Sequence, residues 1–191
     1  MTSRADRFTA LLDANVLVGA LARNMLLSLA EAGLFRPRWS AEILDECERA
    51  LARRIGNPSM AKTQRGRMQV AFPEAMVTGY RALAPAISLP DPDDAHVVAA
   101  AIRTRATVIV TDNLRDFPVA LLSEYDLQAV SLDGFLADLL DLAGPDAVTA
   151  LTVMRRRFRN PTFTGDALIR RAEELGLLQT ADLLGQYREL L

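Results

Sequence analysis

The feature that most constrains this 191-residue chain is a short apolar run with a carboxylate at its end and a helix-spaced segment behind it, a pattern met first near the start of the chain. The first run is Phe8-Thr9-Ala10-Leu11-Leu12-Asp13, followed by Ala14-Asn15-Val16-Leu17-Val18. Apolar runs of this length bounded by polar residues read as strands buried on both faces, although periodicity by itself leaves a helix open. The second, Ala106-Thr107-Val108-Ile109-Val110-Thr111, is β-branched and almost wholly apolar, the clearest strand in the chain, and Asp112-Asn113 ends it. Strands alternating with helices predict a parallel α/β sheet covered by helices on both faces. Such sheets place their ligand crevice outside the carboxyl ends of the strands, where Asp13 and Asp112 fall.

Between these runs the pattern predicts a helix over Asn15 to Gly33, with Leu21, Met25, Leu26 and Leu29 three to four apart and Gly33 as its stop. Leu34 to Trp39 reads as a short second strand that Pro37 confines to an edge or an irregular segment. Ser40 is a natural N-cap for a helix whose stripe is Ile43, Leu44, Cys47, Ala50 and Leu51, ended by Gly56-Asn57-Pro58. Ser59 to Val77 reads as a polar helical arm, and Pro85 and Pro90-Asp91-Pro92 break the chain after it. An alanine-rich helix over Ala95 to Arg105, a short helix over Val119 to Glu124 and a last strand, Gln128 to Val130, complete the alternating part. Beyond Leu132 only helical spacing remains, over Phe135 to Ala143, Asp146 to Phe158, Asp166 to Leu175 and Thr180 to Leu190. Gly144-Pro145, Asn160-Pro161 and Gly176 separate these helices. We therefore expect one α/β domain over residues 1–145 and a helical extension over 146–191.

Half of the residues are hydrophobic, enough for a substantial core. The formal net charge of −2 carries no global basic signature, so a nucleic acid would need a local patch. Arg155-Arg156-Arg157 with Arg159, and Arg53-Arg54 with Lys62, Arg65 and Arg67, are the two basic runs; each reads equally as a solvated helix face. The single cysteine, Cys47, excludes an intrachain disulfide and a thiolate cluster, and one histidine, His96, argues against zinc of the usual ligand set. No apolar run reaches the roughly 18 residues of a membrane span, and Met1 to Arg7 lacks a following signal-peptide core, so a cytoplasmic protein is expected.

The acids carry the chemistry. Asp13 follows the first strand and could simply cap the next helix. Glu46 borders the apolar stripe of its helix, one turn beyond Glu42, where charged residues are commonly solvated. Asp94 begins the alanine-rich helix, where a carboxylate could cap free N–H groups, with Asp91 and Asp93 crowded beside it. Asp112, Asn113 and Asp116 follow the best strand. Taken together, Asp13, Glu46, Asp94 and Asp112 would face one crevice as hard oxygen ligands suited to magnesium or manganese. Carboxylates held that close repel one another, and a cation keeps them ionised. Metal-assisted phosphodiester hydrolysis is the chemistry that uses such a site.

Four stretches in this order give a resemblance: Leu12-Asp13-Ala14-Asn15-Val16-Leu17, Ser40 to Glu46, Asp91-Pro92-Asp93-Asp94-Ala95-His96-Val97-Val98-Ala99-Ala100-Ala101, and Val110-Thr111-Asp112-Asn113-Leu114-Arg115-Asp116-Phe117. The chain resembles the PIN-domain nucleases, which include the VapC-like toxins of bacterial toxin–antitoxin pairs. The resemblance covers roughly Phe8 to Ser131. It implies a three-layer α/β fold with about five parallel strands and a magnesium-dependent ribonuclease acting on RNA. It also implies an antitoxin protein as partner and a homodimer. The family's acids fall on Asp13, Glu46 and Asp94, and its later polar position on Asn113 with Asp116 beside it, while Asp112 is an alternative fourth ligand. The helical tail lies outside the resemblance.

Other residues have plainer readings. His96 reads as a group behind the ligands or at the surface, Cys47 and Trp39 as core, and Thr111 as a hydroxyl that could orient a ligand carboxylate. Two non-nuclease readings remain from other classes: a non-catalytic PIN-like domain that binds RNA or protein, and a phosphoryl-accepting receiver or phosphatase. The last is disfavoured by Asn15 two residues after Asp13 and by Lys62 being the only lysine.

Overall fold

The computed structural model describes residues 8–159 and 162–191; Met1 to Arg7 and the expected Asn160-Pro161 break lie outside the described residues. Five strands form one all-parallel sheet: β1 (Thr9–Leu12), β2 (Arg36–Ser40), β3 (Met76–Val77), β4 (Val108–Val110) and β5 (Gln128–Val130), in the order β3-β2-β1-β4-β5. The order runs outward from β1 in both directions. The switch point thus lies between β1 and β4, which makes the ends of these two strands the natural crevice. Ala10, Leu11 and Leu12 of β1 and Ile109 and Val110 of β4 are wholly buried, as central parallel strands must be.

The helix expected over Asn15 to Gly33 is two: α1 (Ala14–Val18) and α2 (Ala20–Glu31). They part at Gly19, and the guanidinium of Arg23, buried, donates to the carbonyls of Leu17 (2.8 Å) and Val18 (3.3 Å) that the break leaves free. Gly33, at φ 75°, ends α2 as expected. Its N–H reaches Ala30 (2.8 Å), and that of Leu34 reaches Leu29 (3.0 Å).

Pro37 does not make β2 an edge strand. The Arg36 N–H donates to the carbonyl of Phe8, the residue before β1, so Pro37, one residue on, turns its missing donor to the β3 side. There β3 pairs only with Trp39 and Ser40, and no ladder bond is lost. The polar arm is likewise shorter than expected: α4 (Pro58–Ala71) stops before Phe72, and Met76–Val77 is strand, too short to leave a pattern. Before it, α3 (Ala41–Ile55) is capped by Ser40, whose hydroxyl accepts from the Ile43 N–H at 3.1 Å, and ends at Gly56, φ 65°. Arg65 of α4 clamps α3 through Asp45 and Glu48, the latter at 3.1 Å.

Helix α5 (Ala95–Thr104) lies across β1 to β4, and its small buried residues, Ala99, Ala100 and Ala101, permit that approach. After α6 (Val119–Ser123), the helix α7 (Leu132–Arg156) continues through the expected Gly144-Pro145 break with a kink at Ala143 (φ −141°, ψ 41°). Gly144 leaves room there for Tyr187: a Cβ would stand 2.2 Å from its hydroxyl, so a larger residue must displace that ring. Helices α8 (Gly165–Glu174) and α9 (Leu178–Gln186) pack on each other and on α7. Asp133 of α7 fastens α9 by accepting from the N–H groups of Gln179 and Thr180 and from the Thr180 hydroxyl (3.0, 2.9 and 2.7 Å). Among the described residues no helix is long and apolar enough to cross a membrane.

Candidate metal centre

Asp13 leaves β1 at the switch point and is 5 % exposed. One carboxylate oxygen accepts from the Ala14 N–H (2.6 Å), so the helix-capping reading of this residue is fulfilled. The other oxygen accepts from the Thr111 hydroxyl (2.7 Å) and the Asn15 amide (2.7 Å), bonds that capping alone does not need. Asn15 also donates to Thr111 (2.9 Å) and accepts from the Asp112 N–H (3.2 Å), so it rivets the ends of β1 and β4 together. Burial raises the Asp13 pKa most, with Glu46 adding to the rise, against the Thr111 and Ala14 hydrogen bonds and His96.

Asp94 behaves differently from a cap: its side chain makes no capping bond. One of its oxygens is buried with no hydrogen-bond partner. Its carboxylate, that of Asp91 and that of Asp116 offer oxygens all within 4.8 Å of one another. Desolvation, then the charges of Asp13, Asp91 and Asp116, push the Asp94 pKa up to about 6, opposed by His96. Asp116 is held by the Asn113 amide, and Arg115, largely exposed, stands 3.7 Å away. Asp91 also accepts from the Asp93 N–H (2.9 Å), closing the turn that presents it. Its place in the group was readable only as crowding in Asp91-Pro92-Asp93-Asp94.

Glu46 joins the site from α3, but as half of a pair. Its carboxylate lies 3.0 Å from His96 Nε2, while Glu42 lies 3.7 Å from His96 Nδ1 and 2.7 Å from Arg81. Burial would lower the His96 pKa, yet the hydrogen bond and charge of Glu46, with Glu42 and Asp13, raise it overall. His96 therefore stands among the acids, as a partner of Glu46. Arg81 gave no signal in sequence, since only the fold brings it to Glu42.

Asp112 points elsewhere. Its carboxylate accepts from the Leu132 N–H (3.0 Å) at the start of α7, so the structure turns it to the helix terminus and away from the Asp91–Asp94–Asp116 group. Asn113 contributes through its bonds to Asp116 and, by its N–H, to Thr111 (3.1 Å). Trp39 and Cys47 are core, as expected; Trp39 packs edge-on against Phe72, and burial pushes the Cys47 thiol up to about 11.

A divalent ion fits these residues. Three carboxylates converge, one with an orphaned buried oxygen, and a hard all-oxygen set is what magnesium or manganese takes.

Residues 9–115, more than half of the chain, match the family model described as the PIN domain, and the chain belongs to the PIN-domain family. Residues 132–186 match a second model, the VapC50 C-terminal domain. The chain is similar to a protein of Mycobacterium tuberculosis (strain ATCC 25618 / H37Rv) named "Putative ribonuclease VapC50", at 42% identity over 76 residues. That alignment covers 40% of this chain and 45% of the relative, so it spans under half of the relative's length. No solved structure matches the chain.

Proposed function

We propose that this protein is a divalent-metal-dependent endoribonuclease that hydrolyses RNA phosphodiester bonds, acting as the toxin of a toxin–antitoxin pair in the cytoplasm, as a homodimer, under control of a cognate antitoxin protein. The observation that carries the nuclease reading is the Asp91–Asp94–Asp116 convergence beside Asp13, with a buried Asp94 oxygen lacking any partner. Family membership and the relative's name support ribonuclease activity. The toxin role, the antitoxin and the dimer rest on family resemblance. We divide the chain at residue 145, near the kink of α7, into the nuclease part and the helical extension.

Asp94, Asp116, Asp91 and Asp13 would hold the ion, magnesium or manganese. When bound, it supplies an activated water and stabilises charge on the phosphate under in-line attack. The chain's own residues prepare the site. Thr111, Asn15 and the Ala14 N–H fix the Asp13 carboxylate, and Asn113 fixes Asp116. Such supports hold ligands in one rotamer. His96 orients Glu46, which stands at the rim as the group able to hold a proton of the incoming water.

The test is cleavage of single-stranded RNA with magnesium or manganese by the intact chain, by Asp13→Asn and by Asp94→Asn. Loss of cleavage in both variants is expected; undiminished cleavage in both would remove the carboxylate site from the reaction.

A further inference from the structure

A second cavity shares a wall with the carboxylate crevice. It has a volume of about 490 Å³ and is lined by Asn15 and Asp112 on one side and by Phe158, Phe163 and Arg171 of the helical tail on the other, with Arg54 from the end of α3. Asn15 is the same residue whose amide holds Asp13, so cavity and candidate metal centre meet there. Phe158 and Phe163 form a tilted pair with ring centroids 5.4 Å apart, and Phe158 remains 39 % exposed. The pair is built in: Arg155 donates to the Phe163 carbonyl at 3.1 Å. Of the two arginines, Arg171 is already paired with Glu174 (2.6 Å), whereas Arg54 makes no ion pair or hydrogen bond among the described residues.

We infer that this cavity is a base-binding subsite for single-stranded RNA, in which a nucleobase next to the cleaved bond leaves its stack and lies against Phe158, while Arg54 carries the neighbouring phosphate. This rests on the ribonuclease reading and gives the helical tail a share in substrate binding. Three features favour RNA over other occupants. The volume suits a flat ring system with its sugar, since small-ligand clefts begin near 300 Å³. A half-exposed aromatic ring and an unpaired cation lining one cavity is the combination that binds single strands by stacking and charge. The shared Asn15 wall sets the cavity one step from the reacting phosphate. Asn15 has no donor left for a base edge: both hydrogens of its amide go to Asp13 and Thr111, while its oxygen accepts from the Asp112 N–H.

The experiment uses the full chain and a short single-stranded RNA carrying 2-aminopurine at one position. Affinity is read by fluorescence in calcium, and KM and kcat by cleavage in magnesium. Wild type should brighten the probe, because the base leaves its quenching stack. Phe158→Ala should weaken binding and raise KM roughly tenfold with kcat held, and Phe158→Tyr should restore both. An abasic nucleotide at the same position should weaken wild-type binding by a similar factor and have no further effect on Phe158→Ala. Arg54→Gln should lower the slope of log affinity against log salt by about 0.7. The abasic arm needs no variant, so misfolding cannot mask the answer. If wild type cleaves RNA but binds abasic and intact strands alike, the subsite is overturned and the nuclease reading stands. If wild type neither binds nor cleaves RNA, both fail. Phe158→Ala with unchanged RNA affinity but lost binding of an antitoxin peptide would give the cavity to a protein partner and overturn the inference.

Discussion

Two neighbouring groups of acids in this molecule are neutralised in opposite ways. On α3, Glu42, Asp45, Glu46 and Glu48 each meet a cationic or protonatable side chain: Arg81, Arg65 or His96. At the sheet crevice Asp94 and Asp91 meet other carboxylates, Asp116 has the neutral Asn113 amide and an exposed arginine beside it, and one Asp94 oxygen has no partner. Acids paired by the protein itself need nothing further. Acids brought together, partly desolvated and left unpaired either take up protons or bind a cation. The difference separates paired from unpaired carboxylates in a chain where 24 acids look alike in sequence.

The sharpest way to break this contrast is Asp94→Asn. RNA cleavage should fall by roughly 10²–10³-fold, the scale of losing one charged group at a reacting centre, while the variant, relieved of a repelled buried charge, melts no lower than the parent by thermal scan. Next in size is Thr111→Val, which removes the hydroxyl donor to Asp13. A drop of about 10–100-fold in metal affinity by calorimetry is expected, the usual cost of losing a ligand's support.

A third test uses pH. With Asp94 raised to about 6, the carboxyl is protonated below that value in the metal-free protein. A group whose pKa is raised on folding favours the fold at low pH and loses that contribution as pH rises from its ordinary 3.8 through about 6. A divalent ion restores it above pH 6 and must displace a proton below. The thermal upshift produced by magnesium should therefore be larger at pH 7.5 than at pH 5, and equal upshifts would count against Asp94 as a ligand. The smallest effect belongs to the paired cluster. Glu48→Gln should cost under about 1 kcal/mol in denaturant unfolding and leave cleavage within about twofold, because Arg65 keeps Asp45 and the pair is partly solvated.

Much of this protein was legible from local signals. The apolar runs of β1 and β4, the Ser40 cap, the alanine-rich α5 and the stop at Gly33 each follow from chemistry within a few residues, and the structure has them. Their alternation was enough for a parallel sheet with acids at its carboxyl ends, whereas the count of about five strands was implied by the family resemblance. The central place of β2 was not, because which way Pro37 turns its missing N–H depends on the neighbouring strand's register. Nor was Met76–Val77, where two residues become a strand only because β2 lies beside them.

At the site, sequence alone determined which carboxylates stand near strand ends and helix starts, since that depends on chain position. Tertiary structure decided their partners. It turned Asp112 to the amino end of α7, gave Glu46 to His96, drew in Asp91, and left Asp94 with an unpaired oxygen. The reason is range: a strand or a cap is settled over a few bonds, whereas the charge state of a carboxylate depends on groups that arrive from tens of residues away.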